Sequence, residues 1–421
     1  MTLSWNTINA IAQQYGDSFY LLAPSRFEAN YQRFLAAFQS EYQNSRIAYS
    51  YKTNYTPLLC QLVQKMGGYA EVVSGMEYDL ALRIGVPAER IIFNGPYKQL
   101  GDFKRALLSG SIVNLDSSYE LTMLTTLAAK HLQQNFKVGI RCNFSIGAEH
   151  YSRFGFDVGT ASFQTTLQTL RAMPNCRIAG IHCHFLAPER SAAAYASIAE
   201  QMIAIASSEF SQENLDFIDI GGGFFSPMRP ELQMQFPFVV PSFEEYGHAI
   251  ASVFARAYPE QNGPELILEP GISIAANTMQ FAAKIIDLKP AGDRLIALAA
   301  ASQYDIKPTL SPRNLPITVY PSVANNMSTQ RQTFDIVGSS CMENDCLYRG
   351  YQGELKPGDY VVFDNVGAYT NVLRPPFINP APPVLSYSSK HEIKVIRRRE
   401  TTDDIFSSYS FTAFEQGVPT A

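Results

Sequence analysis

Apolar and polar positions along this chain follow two alternating periods. From about residue 45 to residue 275, short β-branched runs alternate with longer stretches in which apolar side chains recur every three to four positions. Eight strands are predicted, over 47–51, 71–73, 91–93, 112–115, 138–142, 178–182, 217–220 and 266–268. Helices are predicted over 57–66, 78–84, 121–130, 163–173, 192–207 and 243–258. Eight β/α units in series favour a closed parallel barrel over an open doubly wound sheet, because right-handed crossovers repeated without reversal wrap the sheet onto itself. The expected fold class is α/β, with a (β/α)8 TIM-type barrel.

Beyond residue 275 the pattern shortens. Pieces at 317–320, 334–337, 360–364 and 393–397 are separated by proline and glycine, which predicts a C-terminal β-sandwich or barrel-like domain. A strand-like run at 18–22 precedes a helical pattern at 26–38, and it either begins the barrel or pairs with the later β domain. There is no internal repeat, only a proline-rich loop at 374–383 and a polar tail after Glu400.

Composition narrows the function classes. The 421 residues are 46% apolar and 17% charged, as in a soluble globular enzyme with one large and one smaller domain. With 33 basic against 38 acidic residues, and no basic block longer than 397–399, nucleic acid and anionic lipid are not expected partners. The first ten residues lack the charged-then-apolar order of a secretory signal, and the apolar run at 295–301 is far below the roughly 18 residues of a membrane span, so a cytoplasmic location is expected. Six cysteines are too sparse for a disulfide framework.

In such a barrel the active site forms at the C-terminal ends of the strands, and the residues there are reactive. The first strand runs into Lys52 and the second carries Glu71; the fifth carries Arg141, the sixth His182, Cys183 and His184, the seventh Gly221, Gly222 and Gly223, and the eighth Glu269, Pro270 and Gly271. Three glycines let backbone N–H groups approach an anion, although a plain tight turn reads the same way. Lys52 lies in a tyrosine-rich apolar run, where burial lowers an amine's pKa and suits Schiff-base chemistry; a solvated surface lysine is the bland alternative. Glu269 has no basic neighbour in sequence, so it is read as the partner of a ring nitrogen or as a helix cap. His182 and His184 fall on one side of a strand with Cys183 between them, but no third Cys or His stands at a ligand spacing, and no metal is expected.

Taken in order, these segments resemble the fold-type III pyridoxal-phosphate decarboxylases of the alanine-racemase fold, among them diaminopimelate, ornithine and biosynthetic arginine decarboxylases. The resemblance rests on Tyr-Ser-Tyr-Lys-Thr-Asn at 49–54, Glu-Val-Val-Ser-Gly at 71–75, Ser-Arg-Phe-Gly at 152–155, His-Cys-His at 182–184, the glycines at 221–223 and Glu-Pro-Gly at 269–271. It continues in a Cys-x-x-x-Asp motif within 338–345 and Gly-Ala-Tyr-Thr at 367–370, so it spans about 320 residues. It implies a cofactor-binding barrel over 26–279 and a β domain made of 1–25 plus 280–421, which contributes to a dimeric active site.

The resemblance also implies roles. Lys52 would hold pyridoxal 5'-phosphate, with Glu71 and Arg141 close by. Gly221, Gly222, Gly223, Gly271 and Tyr369 would receive the phosphate, Glu269 would keep the pyridine nitrogen protonated and His184 would stack on the ring. Cys341, reaching across a head-to-tail homodimer, would return a proton to Cα. Met342, Glu343, Asp345 and Tyr369 are the implied substrate contacts.

This chain departs from the family pattern at four places. Ile272 stands where an arginine is usual, Leu186-Ala187 replace Gly-Ser, Met342 stands where a carboxylate pairs with a distal ammonium, and an Asp-Gly pair is not evident at 299–304. An ammonium buried without a carboxylate would cost several kcal/mol. The expected reaction is therefore α-decarboxylation of an atypical or side-chain-conjugated amino acid in a secondary-metabolite pathway. The alternative is diaminopimelate or ornithine/lysine decarboxylation in primary metabolism. Racemisation, which usually sets an arginine at the ring nitrogen, and non-catalytic cofactor binding are disfavoured by Glu269 and Cys341.

Overall fold

A computed structural model of the chain describes residues 3–146, 152–187, 189–322, 332–387 and 392–411. The end of the polar tail, from 412 on, lies outside the described residues. The chain divides into two compact units, one comprising 23–279 with 365–372, the other 1–22, 280–364 and 373–421. The sequence reading placed 365–372 in the β domain; the structure groups this segment with the barrel, where the amide of Tyr369 donates to the carbonyl of Thr53 at 2.9 Å.

In the larger unit, eight strands run parallel in a closed ring, in chain order: Ser45–Ser50, Tyr69–Val72, Ile91–Phe93, Ile112–Leu115, Phe136–Asn143, Cys176–His182, Phe217–Asp219 and Glu265–Leu268. The ring closes where Ile267 of the eighth strand pairs with Arg46 of the first. Helices start where the sequence supplies oxygen caps. Ser117 with Glu120 and Ser242 with Glu245 form capping boxes ahead of Ser118–Lys130 and Phe243–Ala257. Apolar faces then pack inward: Ala192–Glu209 buries Tyr195, Ile198, Ala199 and Met202, and Phe243–Ala257 buries Tyr246, Ile250 and Phe254.

The barrel interior is filled by a cluster of Ala48, Ile92, Ala179, Phe217 and Ile267. Phe217 is the large member, and it fits because the strands beside it carry glycine. A Cβ on Gly180 would stand 2.5 Å from the Phe217 ring, and one on Gly139 would stand 1.8 Å from the Asn114 Oδ1.

Among the described residues the smaller unit is built on nine strands in mixed pairing, in which the long strand Met279–Ala291 pairs with Tyr360–Phe363 through its first half and with Arg294–Ala299 through its second, beyond a bulge at Ile285. Its centre answers the question left open for the N-terminal run. Ser18–Leu22 is buried along its whole length and lies between Met279–Ala291 and Val384–Tyr387, parallel to the latter. The helix Trp5–Tyr15, which the periodicity reading did not identify, covers this sheet through Ile8, Ile11 and Ala12. The long strand Met279–Ala291 also went unrecognised, because its exposed second half is polar and contains Pro290. Among the described residues no helix is long and apolar enough to cross a membrane.

Gly180→Ala is expected to lower stability by about 1–3 kcal/mol through overpacking against Phe217. Urea unfolding followed by circular dichroism measures this, and an unchanged midpoint would contradict the packing described.

Candidate active site

The C-terminal ends of the barrel strands surround a cavity of about 700 Å³, lined by Lys52, Arg141, Arg153, His184, Arg190, Glu269, Gly271 and Tyr369 among others. Residues from the first, fifth, sixth and eighth strands therefore meet as expected, together with Tyr369 from the returning segment.

Lys52 sits in a single 3-10 turn, Tyr51–Thr53, directly after the first strand. Its Nζ donates to Glu71 Oε2 at 2.5 Å, and Ser50 Oγ donates to the same oxygen at 2.5 Å. The Lys52 side chain is 29% exposed while that of Glu71 is 1% exposed. Burial alone would lower the lysine pKa, as the sequence reading anticipated. The structure reverses this: the Glu71 and Glu269 carboxylates outweigh burial and hold the ammonium above its ordinary range.

Glu269 ends the eighth strand with its side chain 1% exposed, and its partners all come from other strands. His184 Nδ1 lies 3.0 Å from Oε2, His182 Nε2 lies 3.5 Å from Oε1, and Asn94 Nδ2 donates to Oε1 at 2.5 Å. Burial pushes this carboxyl up, but the two imidazoles and Lys52 overcome it and hold it well below its ordinary value. Asp219, two residues before the glycine turn, moves the other way because it is buried beside the Glu269 charge.

Gly221, Gly222 and Gly223 form a turn that other residues could not make. Gly221 and Gly223 have φ of +74° and +102°, and a Cβ on Gly222 would stand 2.0 Å from the carbonyl oxygen of Glu269. Arg141 is nearly buried; it pairs with Asp116 at 3.0 Å and lies 4.5 Å from the centre of the Phe154 ring. Tyr369 adopts φ of +55°.

Cys341, Met342, Glu343 and Asp345 belong to the β unit and are not among the residues lining this cavity. Cys341 and Glu343 are exposed, and Met342 is half-buried with Tyr304 Oη donating to its sulfur at 3.6 Å. Asp345 requires a correction. It is buried, and its carboxylate accepts from the amides of Gln303 at 2.7 Å and Ser340 at 3.1 Å, so it shapes the loop and is not free for a substrate ammonium.

Sequence reasoning overlooked several residues. Asn94 bridges Glu71, at 3.1 Å, and Glu269, and it is oriented by Asn114 Nδ2, which donates to its Oδ1 at 2.8 Å. It directly follows the third strand, a position that marks it as rim-facing, but a lone asparagine carries no reactive signature. His182 reads from sequence as a metal ligand. It is fully buried, neither ring nitrogen has a hydrogen-bond partner among the described residues, and burial lowers its pKa. His182, His184 and Glu269 each place one ligand atom within 4.8 Å of the others, a donor set that could also take a divalent ion.

Residues 27–276 match the family described as "Pyridoxal-dependent decarboxylase, pyridoxal binding domain". The diaminopimelate decarboxylase of Aquifex aeolicus is 26% identical over 414 residues, which cover 95% of this chain and 93% of that protein. The diaminopimelate decarboxylase of Methanocaldococcus jannaschii is 24% identical over 415 residues, covering 94% and 92%. A crystal structure of diaminopimelate decarboxylase from M. jannaschii shares the fold, with a TM-score of 0.85 at 22% identity over 96% of this chain and 94% of that one. The residues present fit the cofactor in the family's name. An amine, a buried ionised carboxylate and a glycine turn crowded against any side chain face one cavity, in the donor set that an aldehyde, a pyridine nitrogen and a phosphate require.

Glu71→Gln removes the carboxylate that most raises the Lys52 pKa, leaving Glu269 to oppose burial, so the amine's pKa falls. The variant is expected to capture added pyridoxal phosphate faster near neutral pH, with its rate profile displaced to lower pH. Stopped-flow absorbance between about pH 6 and 9 checks this, since a free amine is needed for attack on the aldehyde. A profile superimposable on that of the wild type would refute it.

Proposed function

Because the chain belongs to the pyridoxal-dependent decarboxylase family and is a pyridoxal-phosphate-dependent amino-acid carboxy-lyase, we propose that its substrate is an α-amino acid whose far end carries a second carboxylate, as meso-diaminopimelate does. The observation that carries this reading is the charge of the cavity wall. Lys52, Arg141, Arg153 and Arg190 line it against one carboxylate, Glu269, among the described lining residues. A distal ammonium alone, as in ornithine or lysine, finds no acidic partner on that wall, whereas a distal carboxylate finds the guanidinium of Arg153, which no carboxylate on the wall neutralises. The curated relatives are diaminopimelate decarboxylases, which favours this alternative over the side-chain-conjugated substrate suggested by Met342 and Ile272; the comparisons lend the secondary-metabolite reading no support.

Bound at Lys52, pyridoxal phosphate supplies an electron sink for the pair left at Cα when carbon dioxide departs. The protein's own groups divide the remaining work. Glu269 would hold a proton at the ring nitrogen, with His182, His184 and Asn94 around its carboxylate lowering its pKa. His184 would cover one ring face with Arg141 close by, and the turn Gly221, Gly222 and Gly223, with Gly271 and Tyr369, would receive the phosphate, the amides of Gly221 and Gly222 being engaged already by Asp219 Oδ1 at 2.8 Å and His184 Nδ1 at 3.3 Å. Glu71 sits against the Lys52 amine, placed to accept its proton. Cys341, from a second copy of the chain in a head-to-tail homodimer, returns the proton to Cα. The exposed thiol, free to meet a second copy of the chain, supports that division.

The testing experiment is carbon dioxide release from meso-diaminopimelate, ornithine, lysine and Nε-acylated diamino acids under identical conditions. Diaminopimelate is expected to exceed ornithine in kcat/KM by at least roughly 100-fold, the scale of one unpaired or satisfied buried charge. Faster turnover of a conjugate would restore the conjugated-substrate reading. Cys341→Ala is expected to slow product formation by roughly 10²- to 10⁴-fold, the ordinary contribution of a positioned general acid, with little change in cofactor absorbance. Undiminished turnover would show that another group protonates Cα.

A further inference from the structure

The glycine turn offers an anion little charge and few free N–H groups, because the amide of Gly221 donates to Asp219 Oδ1 at 2.8 Å and that of Gly222 to His184 Nδ1 at 3.3 Å. Leu186 Cδ1 lies 3.5 Å from where a Cβ of Gly223 would be, and Ala187 and Ile272 carry no donor. A phosphate dianion calls for a cation or several strong donors. Of the four cations on the cavity wall, Lys52 is paired with Glu71 and Arg141 with Asp116. Arg153 lies over Phe154, 4.2 Å from the ring centre. Arg190 stands on the glycine side, its guanidinium 5.0 Å from the centre of Phe225, two residues after the turn.

The backbone of Arg190 is built for this placement. Its φ is +49°, a left-handed conformation that a non-glycine residue adopts only when its surroundings enforce it. Two tyrosines in contact supply that enforcement. Tyr246 Oη donates to the carbonyl of Arg190 at 2.5 Å, and Tyr195 Oη donates to the carbonyl of Gly222 at 3.0 Å. Their rings are 5.7 Å apart, and Phe224, the residue after the turn, packs on both at 4.6 and 5.1 Å. One aromatic cluster therefore fixes the glycine turn and the arginine in a common frame.

We propose that Arg190 is the phosphate-binding residue of the cofactor site, its guanidinium supplying the charge that the glycine turn and its apolar neighbours lack. The chemistry recognised is a phosphate monoester dianion, and a carboxylate of the substrate is the competing source of the same anion chemistry. The inference rests on the cavity receiving pyridoxal phosphate with its phosphate toward the glycine turn, and failure of the wild-type protein to bind pyridoxal phosphate would remove that premise separately.

The test is equilibrium titration of the cofactor-depleted enzyme with pyridoxal phosphate and with pyridoxal, which lacks the phosphate. Arg190→Met is expected to weaken pyridoxal phosphate binding by roughly 10- to 100-fold, as loss of a charge-assisted contact does, and to leave pyridoxal binding unchanged. Arg190→Lys is expected to recover part of the loss. Tyr246→Phe, which frees the Arg190 carbonyl without touching the charge, is expected to give a smaller loss with the same selectivity, and it carries the test if Arg190→Met does not fold. A pyridoxal phosphate affinity within about threefold of wild type in the folded Arg190 variants overturns the assignment, since a lost charged contact exceeds that. Equal losses for pyridoxal overturn it as well. A raised KM for the amino acid with cofactor affinity intact would transfer the guanidinium to a substrate carboxylate.

Discussion

The site is organised around an ionised carboxylate kept out of water. Glu269 is buried at the end of the eighth strand, where an isolated charge would cost several kcal/mol and would instead take up a proton. The His184 imidazole and the Asn94 amide bound to its two oxygens, with the His182 ring 3.5 Å away, hold its pKa down against that cost. These come from the sixth strand and from the residues just after the third and sixth, which no local segment could bring together. Closure of the parallel barrel is thus a condition for the charge, and the charge is a condition for any chemistry that needs a protonated ring nitrogen.

The same logic extends outward from Glu269. Asn94 links it to Glu71, which grips Lys52, so the amine and the ring-nitrogen partner are joined by one chain of hydrogen bonds. Asn114 orients Asn94, and its Oδ1 lies where a Cβ on Gly139 would fall. Interior packing and site electrostatics therefore share residues. In the β unit, Asp345 plays the comparable organising part, folding the loop at 338–345 by accepting backbone amides while Cys341 remains exposed.

Much of this was legible in the chain. The order of Lys52, Glu71, Arg141, His184, the glycines and Glu269 along eight alternating units placed them on one rim, because in a parallel barrel every strand ends on the same side. What escaped were residues whose role is relational. Asn94 has no characteristic spacing, His182 belongs to a His-Cys-His motif that reads as a metal site, and Arg190 looks like any loop arginine until Tyr246 and Phe225 are seen around it. The Lys52 pKa shifted opposite to expectation for the same reason: burial is readable from an apolar run, but the approach of two carboxylates is not. Met342 and Ile272 pointed away from the substrate class of the relatives, since a missing charge in one motif says nothing about charges supplied from elsewhere.

By itself the sequence determined the period of each element, the barrel with its appended β domain, and the residue types at the strand ends. These depend on local hydrophobic pattern and on backbone demands such as the glycine turn, which act over a few positions. Tertiary structure decided the placement of 18–22 in the centre of the second sheet, the grouping of 365–372 with the barrel, the opposite pKa shifts of Glu269 and Asp219, and the pairing of Lys52 with Glu71. Each of these depends on distances between residues far apart in the chain, and electrostatic and packing energies follow distance in space rather than separation in sequence.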